Sequence, residues 1–186
     1  MKIRTIAFAS VLAAMLTAAP AIATDYVQTK RAGLAFAGKY DGELFTGQFG
    51  GFTAKLHFDP EKLDEAKLEV DIQLAGTHTG NDERDSTLVG NDFFNVAKFA
   101  QARFVATTFR ALGENRYAAD GSLTLRGVSK PVTLTFTWTP GERPLLVGSA
   151  TVKRLDFDVG GGDWADTDTI PNAIAVATKV EFKPAK

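Results

Sequence analysis

The chain contains no cysteine and only two histidines among its 186 residues. Without cysteine, disulfide bonds, thiolate metal sites, thiol catalysis and a lipid anchor on cysteine are excluded. His57 and His78 lack the spacing of a helical metal site, and neither H-E-x-x-H nor G-x-S-x-G occurs. Asp163, Asp166 and Asp168 lack the D-x-D-x-D-G spacing of a calcium loop and indicate a solvated acidic loop. Neither a metal nor a cofactor is therefore expected.

The first 23 residues have the pattern of a secretory signal peptide. Lys2 and Arg4 precede an apolar run, and Ala21-Ile22-Ala23 forms a small-x-small cleavage site. The run Ile6–Ala23 is also about long enough to span a bilayer, so a retained anchor is the alternative. Pro20 and the alanine-rich composition favour cleavage after Ala23, which predicts a periplasmic or secreted protein.

Removal of this segment leaves residues 24–186, a length that suits a single domain. The remaining chain carries 19 basic and 22 acidic side chains, a net charge of −3. It has no basic run and no basic face with interleaved aromatic residues. A nucleic-acid partner is therefore not expected.

Alternation of apolar and polar residues is the dominant pattern, and it is clearest in 68–74, 132–139 and 174–182. Strand side chains point alternately to the two faces of a sheet, so each segment has one apolar and one polar face. Turn signals such as Asp59-Pro60 and Gly113-Glu114-Asn115 separate the segments. Eight or nine short strands predict an all-β antiparallel barrel or sandwich. The shorter candidate strands are 34–38, 45–52, 55–58, 102–111, 116–125 and 145–152.

One helical excursion is predicted near residues 81–97, between two strands. Asn81 is suited to cap a short helix that runs through Val89, and Gly90 follows it. Asn91 is suited to cap a second turn, which carries Phe93, Phe94 and Val96.

Alternation alone leaves two questions open about this barrel. The apolar face points inward in a water-exposed barrel and toward lipid in an outer-membrane barrel. The bulky phenylalanines of the excursion, the polar C-terminus and the short strands favour the inward arrangement. An inward apolar face in turn forms either a filled core or a cavity that holds one small ligand.

Several motifs in a fixed order resemble those of the YceI-like family of small secreted bacterial proteins. The longest is T-x-N-x-x-R-D-x-x-L…D-F-F-N-V-x-K-F…A-x-F, which covers residues 79–104. Asp158 departs from the family, whose members often have glycine there. The other motifs are Phe49-Gly50-Gly51-Phe52, Leu56-x-Phe58-Asp59-Pro60, Gly121-x-Leu123-Thr124-x-Arg126-Gly127-Val128-x-Lys130-Pro131-Val132 and Arg154-x-Asp156-Phe157.

The resemblance implies an extended, lipocalin-like antiparallel β-barrel of about eight strands, with an apolar tunnel open at one end. It implies binding of a long isoprenoid, a quinone tail or a fatty amide by a periplasmic carrier, store or scavenger, in some members linked to stress responses. It implies no catalysis. The alternatives are an enzyme that acts on such a lipid through His57 or His78, and a small outer-membrane barrel. A homodimer through a barrel flank is left open.

The candidate site residues are inward apolar side chains and two arginines. Arg84 and Arg154 are candidates for binding a head group, and their alternative is structural pairing with Asp85 and Asp156. Phe94→Ala is expected to weaken lipid binding more than it lowers stability. Plain core packing is the alternative for each tunnel candidate: Phe36, Phe49, Phe52, Phe93, Phe94, Phe104, Phe136 and Trp138.

Overall fold

The computed structural model describes residues 24–185, so the predicted signal segment lies outside the described residues. Within that range the chain forms nine strands, one α-helix and two short 3-10 helices, Arg154–Phe157 and Gly162–Trp164. The main elements are β1 (Thr24–Tyr40), β2 (Glu43–Gln48), β3 (Gly51–Phe58), β4 (Lys67–Gln73), α1 (Asp82–Val89), β5 (Gln101–Gly113), β6 (Arg116–Leu125), β7 (Val128–Thr139), β8 (Leu145–Lys153) and β9 (Ala173–Pro184).

The strands form a closed antiparallel barrel, as the sequence predicts. β3 to β9 follow one another in the sheet, and β1 closes it by pairing with both β3 and β9. These eight strands make the barrel, and β2 is a ninth strand that pairs with the second half of β1. β1 pairs with three strands, and its pairing with β9 shifts register between Gln28 and Ala32. There the Gln28 amide donates to Phe52 O and accepts from Ala54 N, which replaces the missing ladder between β1 and β3.

The apolar face of each alternating strand points into the barrel, which is the first of the two arrangements left open by the sequence. The outer face is polar and carries cross-strand ion pairs. Arg103, for example, lies 2.6 Å from Asp71 and 2.7 Å from Glu69 on the neighbouring strand. None of the helices in residues 24–185 combines the length and the apolar character needed to cross a bilayer.

Three tight hairpins have positive φ angles at both central residues. These are Asp41-Gly42 (49° and 83°), Glu114-Asn115 (52° and 59°) and Arg126-Gly127 (51° and 76°). Two-residue turns of this hand match the right-handed twist of the strands that they join. The second and third connect the strands between which the sequence predicts turns, and the first forms the β1–β2 hairpin.

The predicted helix is confirmed, but the turn after it is not helical. The Asn81 side chain accepts a hydrogen bond from Arg84 N, and the helix ends at Val89. The expected second helical turn at Asn91 is instead a series of turns, in which Phe94 N donates to Leu88 O. Asn95 has a φ of 48°, which a right-handed helix does not accommodate.

Two strand boundaries also differ from the prediction. β1 begins at Thr24 and not at residue 34. The sequence gives little sign of this first half, because it lacks a clear alternation. The segment 45–52, expected to be one strand, is split between β2 and β3 at Phe49-Gly50. A side chain at Gly50 would clash with the backbone carbonyl of Ala75, so the chain turns where only glycine fits.

Candidate functional site

A cavity of about 560 Å³ occupies one half of the barrel. Its walls come from the inward faces of the strands and are almost entirely apolar. On β9, for example, every second residue faces the cavity: Ile174, Val176, Thr178, Val180 and Phe182. Six of the eight aromatic candidates also line it: Phe36, Phe49, Phe52, Phe93, Phe94 and Phe104.

Phe136 and Trp138 lie outside the cavity lining, at the closed end of the barrel. There they pack around Phe58, whose ring centroid lies 5.8 Å from that of Phe136 and 5.2 Å from that of Trp138. Tyr117 and Phe109 complete the cluster, at 5.1 and 6.0 Å from Phe58. The barrel is therefore filled at one end and hollow at the other. The filled core and the cavity, which the sequence left as alternatives, each occupy one half.

Glycines in the strands make room for the aromatic rings of the cavity wall. A side chain at Gly47 would overlap the ring of Phe36, which lies across β2. A side chain at Gly121 would likewise overlap the ring of Phe104. The glycines therefore allow large rings to lie flat along the wall, which keeps the space in the middle of the barrel open.

Two loops cover the cavity on the side where β5 begins and β8 ends. Phe93 on one loop and Trp164 on the other meet with ring centroids 5.4 Å apart, and Gly160 N donates to Asp92 O. Arg126 holds the first loop through hydrogen bonds from Nη1 to the carbonyls of Asn91 and Phe93. The loops are thus fixed to the barrel and to each other.

Arg154 holds the second loop from inside. It is 3 % exposed and carries its charge into a ring of backbone carbonyls. Burial lowers its pKa, and the ring of carbonyl dipoles takes the place of a carboxylate partner. Asp156 is exposed and makes no ion pair with it in the described residues. The six accepting carbonyls belong to Val159, Gly160, Trp164, Asp166, Ile170 and Pro171.

This saturation favours a structural role for Arg154 over head-group binding, with carbonyls in place of the expected Asp156 as partners. Every nitrogen of its guanidinium already donates to the protein, so little donor capacity remains for a ligand. Although the side chain borders the cavity, its contacts are those of a structural clamp.

The mouth of the cavity lies between the β1–β2 hairpin and the start of α1. Of the residues that line the cavity, the exposed ones are all here: Tyr40, Glu43, Asn81 and Glu83. Within residues 24–185, the polar side chains through which the lining meets solvent lie at this point.

Arg84 stands at this mouth, as a head-group candidate should. Its Nε donates to Thr79 Oγ1 over 2.9 Å, and its guanidinium carbon lies 4.5 Å above the centroid of the Phe45 ring. The Thr79 hydroxyl in turn donates to Asp85. That bond is the main reason why the pKa of Asp85 is lowered, and a bond to His78 adds to the effect. Arg84 and Asp85 are therefore linked through Thr79 and not paired directly.

The histidines lie away from the cavity lining. His57 Nδ1 lies 2.8 Å from Asp25 Oδ1 on the outer surface, and His78 Nδ1 lies 2.7 Å from Asp85 Oδ2. Asp166 in the acidic loop bonds to Asp168 N and the Thr169 hydroxyl. In residues 24–185 no group of three acidic or histidine side chains is arranged to hold a metal ion.

The aliphatic part of the cavity wall was not among the sequence candidates. The signal for it was present, because these residues occupy the apolar positions of the same alternating segments. β1, β4, β6 and β7 supply eight of them: Leu34, Leu68, Val70, Ile72, Leu123, Leu125, Val132 and Leu134.

Truncation of Phe94 tests whether its ring serves the cavity or the core. The ring lines the cavity and contacts Phe49, with centroids 6.2 Å apart. Phe94→Ala is expected to weaken the binding of a fluorescent C16–C20 amphiphile about tenfold, which corresponds to about 1.4 kcal/mol of lost apolar contact. Titration gives the affinity, and thermal unfolding gives the stability. A collapse in melting temperature with unchanged lipid retention in the folded fraction would refute the assignment.

The fold and the site define a closed antiparallel barrel of the lipocalin type, with one apolar cavity and a polar mouth. The sequence model of the YceI-like domain matches residues 26–182. The chain belongs to the YceI-like family.

Relatives with similar sequences include two UPF0312 proteins. One from Pseudomonas fluorescens is 34% identical over 83% of this chain and 86% of its own length. One from Shewanella denitrificans is 36% identical over 81% and 85%.

Solved structures share the fold. BcnA of Burkholderia cenocepacia superposes with a TM-score of 0.77 at 26% identity, covering 81% of this chain and 96% of that one. A polyisoprenoid binding domain from Saccharophagus degradans superposes with a TM-score of 0.67, covering 88% and 100%. Its identity of 15% makes this a likeness of fold alone.

Proposed function

We propose that this protein binds the long apolar chain of an amphiphile, such as an isoprenoid, in the barrel cavity, and that it serves as a periplasmic carrier, store or scavenger. The observation that carries the proposal is the apolar cavity of about 560 Å³ with a single polar mouth. Such a shape fits a molecule with an apolar tail and a polar head. The volume of the cavity is within the range of about 300–1,000 Å³ that is usual for small-molecule sites.

The cavity volume sets the scale of the ligand. At about 30 Å³ for a group the size of a water molecule or a methylene, 560 Å³ holds on the order of twenty such groups. Each buried methylene gains about 0.8 kcal/mol. Ten of them therefore supply about 8 kcal/mol, the equivalent of micromolar affinity before the cost of ordering the chain. Tail burial alone accounts for useful binding, without strong polar contacts.

The wider context agrees with a binding role. The domain from Saccharophagus degradans with the same fold is described as polyisoprenoid binding. In this chain an arginine and carboxylates stand at the mouth of an apolar cavity, an arrangement that suits the polar head of an amphiphile, and a binding protein is proposed. Export through the N-terminal segment 1–23, with cleavage after Ala23, is part of the same proposal.

Mass spectrometry of an organic extract tests the function directly. The full chain is expressed with residues 1–23, and the protein is purified from a periplasmic fraction without detergent. A stoichiometric polyprenyl, quinone or fatty-amide species is the expected result. A folded protein free of lipid, which also fails to take up a C20 amphiphile, would overturn the proposal.

Filling the cavity from its wall is expected to weaken binding at least tenfold while leaving the fold intact. Ala150 lines the cavity from β8, whereas Ala177 is exposed on the outer face of β9. Ala150→Trp places an indole in the space of the tail, and we expect affinity for a C20 amphiphile to fall at least tenfold. Ala177→Trp is the matched control and is expected to bind as the wild type does.

Isothermal titration measures the affinities, and thermal unfolding verifies that both variants fold. Ala150→Phe is the smaller second variant if the indole overpacks the barrel. Wild-type affinity in a folded Ala150→Trp protein would show that the ligand lies elsewhere.

A further inference from the structure

The charges at the cavity mouth are unequal. Among the described residues that line the mouth, Arg84 is the single cation, and Glu43 and Glu83 are two anions. Neither glutamate makes a salt bridge among the described residues. Lys39, the nearby cation of the hairpin, pairs across the strands with Leu44 on the outer face. A ligand head group at the mouth therefore meets one guanidinium and two unneutralised carboxylates.

Arg84 is held in place with donors to spare. Its Nε is occupied by Thr79, and the Phe45 ring supports the guanidinium plane at 4.5 Å. Its two terminal nitrogens make no hydrogen bond within residues 24–185, so they are available to an acceptor. Arg154, the other arginine that borders the cavity, is saturated by carbonyls. In the part of the chain that the structure describes, no second cation at the mouth joins Arg84 in holding a phosphate.

Two further acidic residues of the first helical turn lie next to the mouth but outside the cavity lining. Asp82 and Asp85 flank Glu83 at the start of α1. Asp85 is turned toward Thr79 and His78, with its His78 contact at 2.7 Å. His78 is the remaining titratable group beside this turn, and it faces Asp85 and not the cavity lining. The carboxylates at the mouth therefore outnumber its one guanidinium among the described residues.

We propose that Glu43 and Glu83 are specificity-determining residues, which select an uncharged head group and reject a phosphate. This inference rests on the proposed binding of a long-chain amphiphile. A hydroxyl, a hydroquinone or a primary amide accepts a hydrogen bond from Arg84 and donates one to a glutamate. A phosphate satisfies Arg84 but has little to donate, and it places its charge beside two carboxylates.

Two ligands with the same C20 tail test this selectivity. Geranylgeraniol and geranylgeranyl phosphate fit the capacity of the cavity and differ only in the head group. Competition against an uncharged fluorescent amphiphile gives both affinities. The salt concentration is kept at about 50 mM, because low salt preserves the electrostatic effects of exposed charges. We expect the alcohol to bind at least tenfold more tightly, a difference of about 1.4 kcal/mol.

The variant Glu43→Gln/Glu83→Gln removes the two negative charges and keeps the side-chain size. We expect it to tighten phosphate binding about tenfold and to change alcohol binding less than threefold, whereas Arg84→Gln weakens both ligands. Glu65→Gln/Glu142→Gln is the matched control, because both residues are exposed and lie outside the cavity lining. It is expected to leave the preference unchanged.

The outcomes separate this inference from the proposed function. If neither C20 ligand binds, the proposed function fails and the selectivity falls with it. If both bind and the wild type takes the phosphate as tightly as the alcohol, the selectivity alone is wrong. An unchanged preference in the double glutamine variant would equally overturn the role of Glu43 and Glu83.

Discussion

Phe58→Ala is expected to lower the free energy of unfolding by about 4 kcal/mol, within the range for aromatic truncations in a filled core. Phe58 is 1% exposed, and its ring touches four other aromatic rings at the closed end. Truncation leaves a cavity that the surrounding strands cannot close, because each is held by ladders on both sides. For a domain of this size the melting temperature should fall by about 8–16 °C.

Urea and thermal denaturation measure this effect. Phe58→Leu is expected to cost less than half as much, and Leu44→Ala, at a residue 70% exposed, should have little effect. The folded fraction of Phe58→Ala should still bind a C20 amphiphile, since Phe58 is not part of the cavity lining. A normal melting temperature together with lost binding would contradict this prediction, because Phe58 would then contact the ligand and not belong to the filled core.

Arg154→Met is expected to destabilise the protein by about 3 kcal/mol or more. The methionine keeps most of the apolar stem but removes the donors for six backbone carbonyls, of which those of Val159, Gly160 and Ile170 are buried. An unsatisfied buried polar group costs about 1–3 kcal/mol, and partial relaxation of the loop toward water recovers some of that loss. The loop with Val159 and Trp164 should loosen, so bound lipid should also dissociate faster.

The exposed neighbour provides the control for this prediction. Lys153→Met removes a positive charge one residue earlier, where the side chain is solvent-exposed, and should leave stability nearly unchanged. Hydrogen exchange of the 158–172 amides is expected to increase in Arg154→Met and not in Lys153→Met. Equal stability of the two variants would show that Arg154 is not a clamp.

The barrel was predictable because its signal is local. The alternation in β4, β7 and β9 identifies which side chains share a face, and the Asn81 cap and the turn residues mark where elements begin and end. Each of these patterns depends on residues within a few positions of one another. Where the local signal is weak, as in the first half of β1, the sequence missed the strand.

The position of a residue along the barrel axis was not predictable. Val132, Leu134, Phe136 and Trp138 lie on one face of β7 and follow the same alternation, but only the first two line the cavity. Alternation specifies the face of a strand, whereas depth depends on the stagger between neighbouring strands. Phe136 and Trp138 were therefore placed among the ligand candidates although they belong to the filled end.

By itself the sequence determined the fold class, the inward set of side chains and the family. The tertiary structure alone decided where the barrel is hollow, that Arg154 is saturated by carbonyls, and that Arg84 shares the mouth with Glu43 and Glu83. Glu43 is far from Arg84 in the sequence, and the partners of Arg154 are backbone groups, which all residue types share. The side-chain pattern of a segment indicates the periodicity of that single element. How the elements pack against one another depends on their three-dimensional arrangement.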